Sequence, residues 1–370
     1  MAAISFFVHS MEGGGAQRAM VRLASGFADA GHSVEVLTLR PEGAYRSELS
    51  PAVTLTVLGP RRIVFAVPAL IRHLRNRRPD AVLVTEAPCN VVVLVASSLS
   101  RSGSRILVRE GLFPSVAAKE SPHRSIRLAY RLAPLLYRRA HVIVAIATEM
   151  KDDLAKFCKI SPNRITTIPI NPVVTKGLLR TAEDAPSHPW YEEGIPIVLG
   201  VGRLDRQKDF LTLIRAFELL RATRPCRLII LGDGPLRQDL KSVCAASSFS
   251  EDIAMPGFMA SPFAFMAKSD VFVLSSRYEG QPNVLIEALA CGARVVSTDC
   301  PSGPRDVLAG GQYGRLVPVG DASAMASAIA ETLDSPSDRQ SSRLRGLDFS
   351  IDKSAALYLD ALFGGTLDQR

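Results

Sequence analysis

Glu279 and Glu287 stand eight residues apart in RYEGQPNVLIEALACG (277–292), with Gly280, Gln281, Pro282 and Asn283 leading from the first acid into an apolar run that closes at a glycine. Asn283 is a good helix N-cap type and Gly292 a good helix stop, so Glu279 falls on a loop and Glu287 about one turn inside a helix. The first amides of that helix, at Asn283, Val284 and Leu285, can bind phosphate. A carboxylate can accept hydrogen bonds from two adjacent hydroxyls. The two acids therefore fit a ligand with a diphosphate in its middle and a sugar at each end, Glu287 taking a ribose and Glu279 the second sugar. Without such a ligand they are solvated surface acids.

Two further stretches carry the same chemistry. GVGRLDRQKDF (200–210) offers Arg203 and Lys208 just past an apolar strand, a planar fork and a point charge suited to a diphosphate, or else a solvated loop. MEGGGAQRAM (11–20) is a glycine-rich turn after the first strand; Gly14 and Gly15 would let backbone amides approach a phosphate. That signal is weak alone, because the run is not G-x-G-x-x-G and serves equally as a tight strand-to-helix turn.

The elements that position these residues alternate in period. ISFFVHS (4–10), HSVEVLTL (32–39), AVLVT (81–85), RILVRE (105–110) and HVIVAIA (141–147) read as strands separated by helix-length stretches. Residues 173–195, rich in Pro, acids and turn formers, read as a linker. The pattern restarts with strands at IVLGVGRL (197–204), RLIILGDG (227–234), DVFVLSS (270–276) and RVVSTD (294–299). Repeated strand–helix–strand units predict parallel sheets with helices on both faces, and ligands of such sheets bind at the carboxyl ends of the strands.

At 370 residues the chain suits two domains, and 47% hydrophobic with 22% charged residues is ordinary for a globular protein. Six cysteines without a Cys-x-x-Cys pair argue against a disulfide framework or a zinc site, and a reducing cytoplasm fits them. The N-terminus lacks a basic leader and reads as a first strand; the most apolar window, 81–99, is broken by Glu86, Pro88 and Asn90 and predicts no spanning helix. Charge is uneven. Residues 1–180 hold 25 Lys and Arg against 12 Asp and Glu, whereas 181–370 hold 19 against 24, which points the first half at an anionic surface.

EGQPNVLIEALACG, VGRLDRQKDF, LGDGPLR and GGGAQR, with HPWYEEGIPIVLGVGRL (188–204) and STDCPSGPRDVL (297–308), together resemble the retaining glycosyltransferases of the GT-B fold, glycosyl transferases group 1, family 4. The resemblance spans nearly the whole chain and is strongest in its second half. It implies an α/β fold of two Rossmann-like, doubly wound parallel-sheet domains facing across a cleft. The first (1–172) would bind the acceptor, the second (196–350) the nucleotide-sugar, and residues 351–370 would form a helix crossing back to the first. It further implies that Glu287 takes the ribose, Arg203 and Lys208 the diphosphate, and Glu279 with the Gly280, Gln281 and Asn283 backbone the transferred sugar. Gly14 and Gly15 would reach the diphosphate, and Phe258 in PGFMASP (256–262) the base. Family members work without a metal, and no Asp-x-Asp motif is present.

One departure stands out. Many relatives carry a histidine in the loop after the strand matching RILVRE, whereas this chain has VREGLFP, with Arg109 and Glu110 and no histidine before His123. Glu110 resembles the acid of relatives with a SERN-like loop and is expected on the acceptor side, with a structural salt bridge as the alternative; His9 and His123 read as strand-end and surface residues.

Two basic amphipathic segments, 67–78 and 123–141, carry arginines among leucines and would suit anionic lipid headgroups, or else are solvated helices with leucines in the core. Nucleic acid is a poor partner, since no aromatic platform accompanies the charge. The expected activity is transfer of a hexose or N-acetylhexosamine from a UDP- or GDP-sugar to a glycan acceptor, polyprenyl-linked, for a surface polysaccharide or lipopolysaccharide, peripherally on the cytoplasmic face of the inner membrane. Alternatives are a catalytically inactive GT-B scaffold or a nucleotide-sugar 2-epimerase.

Overall fold

The computed structural model describes all residues except Gly13, Pro60, Arg61, Ser302, Ser337 and 365–370. The chain divides into two compact units, one made of Met1–Pro172 with the segment from Ile351 on, the other of Val173–Ser350.

The first unit holds seven strands: β1 Ala3–Ser10, β2 Ser33–Arg40, β3 Thr54–Val57, β4 Ala81–Thr85, β5 Arg105–Glu110, β6 Val142–Ala145 and β7 Ile165–Thr167. Their order is β3-β2-β1-β4-β5-β6-β7, every pairing parallel, with Phe6 opposite Val36 on one side and Leu83 on the other. Both faces are covered. All five residues of β4 are buried, which is why AVLVT is apolar throughout and does not alternate. The chain builds outward from β1 to β3 and then restarts at β4 beside β1, so the carboxyl ends of β1 and β4 flank a topological switch point.

The second unit repeats the plan with β8 Ile197–Val201, β9 Arg227–Leu231, β10 Ile253–Gly257, β11 Val271–Leu274, β12 Val295–Thr298 and β13 Arg315–Val317. The order is β10-β9-β8-β11-β12-β13, again all parallel, which puts the switch point between β8 and β11. At its edge the loops after β8 and β9 touch backbone to backbone. Gly232 has φ 149°, and a Cβ there would lie 1.8 Å from the Gly202 carbonyl oxygen, so no other residue fits.

Residues 173–195, read from sequence as linker, are built into the second unit. Val174 bridges Ser350, Lys176–Thr181 is a helix capped by the Thr175 hydroxyl, and Trp190 stacks under the Arg227 guanidinium at 4.6 Å. Aperiodic sequence hid these contacts because a backbone bridge, a six-residue helix and one ring–guanidinium stack form no repeating face. The last helix, Ile351–Phe363, packs on the first unit: Tyr358 and Leu362 join its core, and Gly26 lets the helix Gly15–Asp29 approach so closely that a Cβ would meet Ile351 Cγ2 at 2.6 Å.

Candidate functional site

At the second unit's switch point, Lys208 and Glu279 are each other's partners. Lys208 Nζ donates to Glu279 Oε1 at 2.5 Å, with side chains only 17% and 6% exposed, and Ser276 Oγ donates to the same oxygen at 2.7 Å. The sequence assigned these two charges to different parts of a ligand. The fold joins them because the loop after β8 is stitched to the loop after β11: Ser275 Oγ donates to Lys208 O, and the Arg277 amide to Gln207 O. Asp205 shapes the first loop by accepting the amides of Gln207 and Lys208 on one oxygen, a turn that presents Lys208 inward.

Arg203, by contrast, is exposed, 3.8 Å from Asp205, and lines a pocket of about 590 Å³ with Gly202, Leu231, Gly232 to Gly234, Phe258 and Met259. Phe258 is an exposed ring at that pocket's rim. Glu279, Lys208 and Glu287 do not line it.

The helix expected to open with an Asn283 cap runs Asn283–Ala290 with Pro282 in the cap position, and no side chain caps it. Pro282 fixes the entry, and Asn283 is already the first helical residue. Two of the amides reserved for phosphate are engaged within the turn: Asn283 N donates to Gln281 O and Leu285 N to Pro282 O. Asn283 Oδ1 is buried without a partner, Val284 is half-buried, and the Leu285 side chain lies in the core. Glu287 is half-buried one turn in, where, after burial itself, its charge raises the Cys291 thiol to about 12. Gly280 carries open space where a Cβ would stand, while Gly303 (φ 99°) presses against Pro282 and holds the turn.

The first unit contains a pocket of about 620 Å³ of its own. It lies over the β1–β4 switch point and is lined by Gly14, Gly15, Gln17, Glu86, Glu110 and Tyr130, with His9 and His123 at its wall and Ile63, Leu112 and Ile126 among the apolar lining. Gly13 of the glycine turn lies outside the described residues. His9 and His123, read as bystanders, both line this pocket; burial, then Arg40, lowers the His9 pKa.

Glu110 is 1% exposed and forms no salt bridge among the described residues. Tyr130 Oη donates to one carboxyl oxygen at 2.9 Å and Tyr137 Oη to the other at 2.8 Å, Tyr137 in turn accepting from Asn90 Nδ2. Burial pushes the Glu110 carboxyl up to about 7, against the pull of the phenols. Its neighbour Arg109 points to the other face of β5, donating to Tyr358 Oη of the last helix and to Asn171 Oδ1.

Two lining residues escaped the sequence reading. Gln17 Nε2 donates to Glu86 Oε1 at 2.8 Å, leaving Gln17 Oε1 buried with no partner, a condition that costs about 1–3 kcal/mol. Glu86 sits at φ 70°, a left-handed value costing on the order of 1–3 kcal/mol for a residue with a Cβ, and burial raises its pKa. In the sequence Glu86 was only a charge interrupting an apolar window. An acid placed directly after an all-buried strand was the available signal, and it needed the switch point to give it meaning.

The two basic helices differ in the structure. In the helix Val67–Arg77, Leu70 and Leu74 are buried and the arginines solvated, whereas in the helix Arg124–Leu136 Leu128, Leu132 and Leu135 are 56%, 40% and 67% exposed. Among the described residues no helix is long and apolar enough to cross a membrane.

Residues 195–335 match the model of glycosyl transferases group 1, and residues 13–173 that of glycosyltransferase family 4. The chain is 27% identical to a Campylobacter jejuni N-acetylgalactosamine-N,N'-diacetylbacillosaminyl-diphospho-undecaprenol 4-alpha-N-acetylgalactosaminyltransferase, over 90% of this chain and 91% of that one. It is 28% identical to the lipopolysaccharide core biosynthesis glycosyltransferase LpsE of Rhizobium meliloti, covering 96% and 97%. Among solved structures it resembles Anabaena HepE in complex with UDP, with a TM-score of 0.76 at 17% identity over 97% and 99% of the two chains.

Proposed function

Because this chain belongs to the group 1, family 4 glycosyltransferases of the GT-B fold, we propose that it moves a hexose or N-acetylhexosamine from a UDP- or GDP-sugar to a polyprenyl-linked glycan, with retention and without a metal. The observation that carries this reading is the Lys208–Glu279 pair at the β8–β11 switch point, with an exposed Arg203 on the same loop as Lys208. Relatives named for lipid-linked and lipopolysaccharide acceptors support the acceptor class.

In the reaction the bond from the anomeric carbon to the diphosphate oxygen breaks, and one to an acceptor hydroxyl oxygen forms on the same face. The hydroxyl proton passes to the leaving phosphate. Glu279 holds hydroxyls of the transferred sugar. Lys208, with three donors, shares its ammonium between Glu279 and the diphosphate, while Arg203 adds a second positive charge. Glu287 takes the ribose and Phe258 the base; the turn Gly280–Gln281 with the Asn283, Val284 and Leu285 backbone supports the sugar and phosphates, and Gly14 and Gly15 contribute amides. The first unit's pocket takes the acceptor, with Glu110 held rigid in its wall by two tyrosines. The exposed leucines of Arg124–Leu136, set among Arg124, Arg127 and Arg131, support peripheral docking on the anionic cytoplasmic face of the inner membrane.

The test is a panel of UDP-, GDP- and ADP-sugars with EDTA present, followed by thermal shift and by release of nucleoside diphosphate. One donor should stabilise the protein and turn over slowly with water. Neither stabilisation nor hydrolysis by any donor, with or without added Mg²⁺, would overturn the reading.

A further inference from the structure

The acids of the first unit's pocket are not equivalent. Both oxygens of Glu110 already receive phenolic hydroxyls, so it has little capacity left for a ligand. Among the described residues Glu86 receives one side-chain donor, the Gln17 amide, on one oxygen. Gln17 is 8% exposed; because its NH₂ end is committed to Glu86, its carbonyl end is fixed in orientation, and that oxygen has no donor. Glu86 is in turn held at positive φ by the helix Ala87–Ser100 that starts directly after it, its carbonyl accepting the Asn90 amide at 2.8 Å. Gln17 and Glu86 therefore share one wall of the pocket, Glu86 with a strained backbone and Gln17 with an amide oxygen that has no partner among the described residues.

That wall selects by chemistry. It presents acceptors and wants donors, and among the described residues lining the pocket there is no Lys or Arg to hold an anion. A phosphate set against this wall would meet the acceptor oxygens of Glu86 and Gln17. A neutral polyol satisfies it, one hydroxyl donating to Gln17 Oε1 and its neighbour to the Glu86 carboxyl. We propose that Gln17 and Glu86 form a hydroxyl-receiving subsite that positions the acceptor sugar and discriminates among sugars by their vicinal hydroxyls. This rests on the reading of the pocket as the acceptor's, and it moves acceptor recognition from Glu110 to a pair at the β1–β4 switch point.

The experiment uses the full chain and the methyl glycosides of N-acetylglucosamine, N-acetylgalactosamine, glucose and galactose, each with its single-deoxy counterparts, titrated by saturation-transfer NMR. One parent glycoside should bind, and removing one of two adjacent hydroxyls should weaken it about 10-fold. In Gln17→Leu the parent should weaken about 10-fold while the deoxy sugar binds as it does to the wild type, because residue and hydroxyl report the same bond. Glu86→Gln should lose discrimination at the neighbouring hydroxyl. Additive losses would signal a merely structural role and overturn the proposal, as would unchanged binding to Gln17→Leu or no glycoside binding to folded wild type. If Gln17→Leu fails to fold, Gln17→Asn, which withdraws the amide by one methylene, serves in its place under the same criterion. Donor hydrolysis by the same preparations reports on the transferase reading separately, since it needs no acceptor sugar.

Discussion

Each unit carries a hydrogen-bonded pair at its switch point, formed by a side chain in the segment beyond the first central strand and an acid in the segment beyond the second. In the first unit the pair is Gln17 with Glu86, after β1 and β4; in the second it is Lys208 with Glu279, after β8 and β11. The topology is the same and the charge is not. In the second unit the acids around the switch point have cations: Glu279 has Lys208, Asp209 has Arg277 and Asp299 has Arg305. The first unit's pocket acids have no cation partner among the described residues, Glu86 receiving the Gln17 amide and Glu110 two phenols and the Gly111 amide, so burial outweighs these bonds and both carboxyl pKa values rise. One fold has thus been supplied with an ionic edge, suited to a charged diphosphate, and a neutral edge, suited to hydroxyls.

The sharpest way to break this comparison is Glu279→Ala. Transfer should fall about 1,000-fold while free UDP or GDP binds as well or better, since Lys208 is released; near-wild-type turnover would remove the ionic pair from the chemistry. Next in size is Lys208→Met, which leaves Glu279 nearly buried and unpaired. Unfolding of the second unit, followed by the single tryptophan, Trp190, should become easier by about 3 kcal/mol, and adding Glu279→Gln should recover most of the loss. An unaltered midpoint would show the pair to be incidental.

The neutral edge has its own signature in pH. Because the Glu110 carboxyl lies at about 7 in the folded protein, against 4.5 ordinarily, the folded state holds its proton more tightly than the unfolded one. That contribution is fully present below pH 4.5 and is lost as pH rises through 7. Wild type should therefore lose about 2 kcal/mol between pH 5 and 8 relative to Glu110→Gln, read by hydrogen exchange in β5. Parallel pH profiles would mean that Glu110 is ionised throughout. Smallest is Glu287→Ala, expected to weaken free nucleoside diphosphate about 10-fold whatever sugar the donor carries; unchanged affinity by calorimetry would end its ribose role.

Much of the fold was legible because parallel strands buried on both faces write continuous apolar runs, as in AVLVT and VFVL. The short outer strands β3, β7, β10 and β13 were not, since three to five residues at a sheet margin carry too little pattern to stand out. The donor-side residues could be named from type and spacing: Glu279, Lys208 and Arg203 sit on loops that follow central strands. Their partners could not. Lys208 and Glu279 are 71 residues apart, and Gln17 and Glu86 are 69 apart. Asn283 shows the limit locally, since its type suits a cap, yet Pro282 before it occupies that position.

The sequence by itself determined the alternation of strand and helix, the two-part division, the family and the loops on which polar residues stand, because each is encoded by residues close together in the chain. Only the tertiary structure decided which charges neutralise each other, which leucines remain outside, and that Gln17 and Glu86 meet over a pocket with an oxygen to spare. Those outcomes depend on strand order, and strand order is fixed by packing between segments that the chain itself keeps far apart.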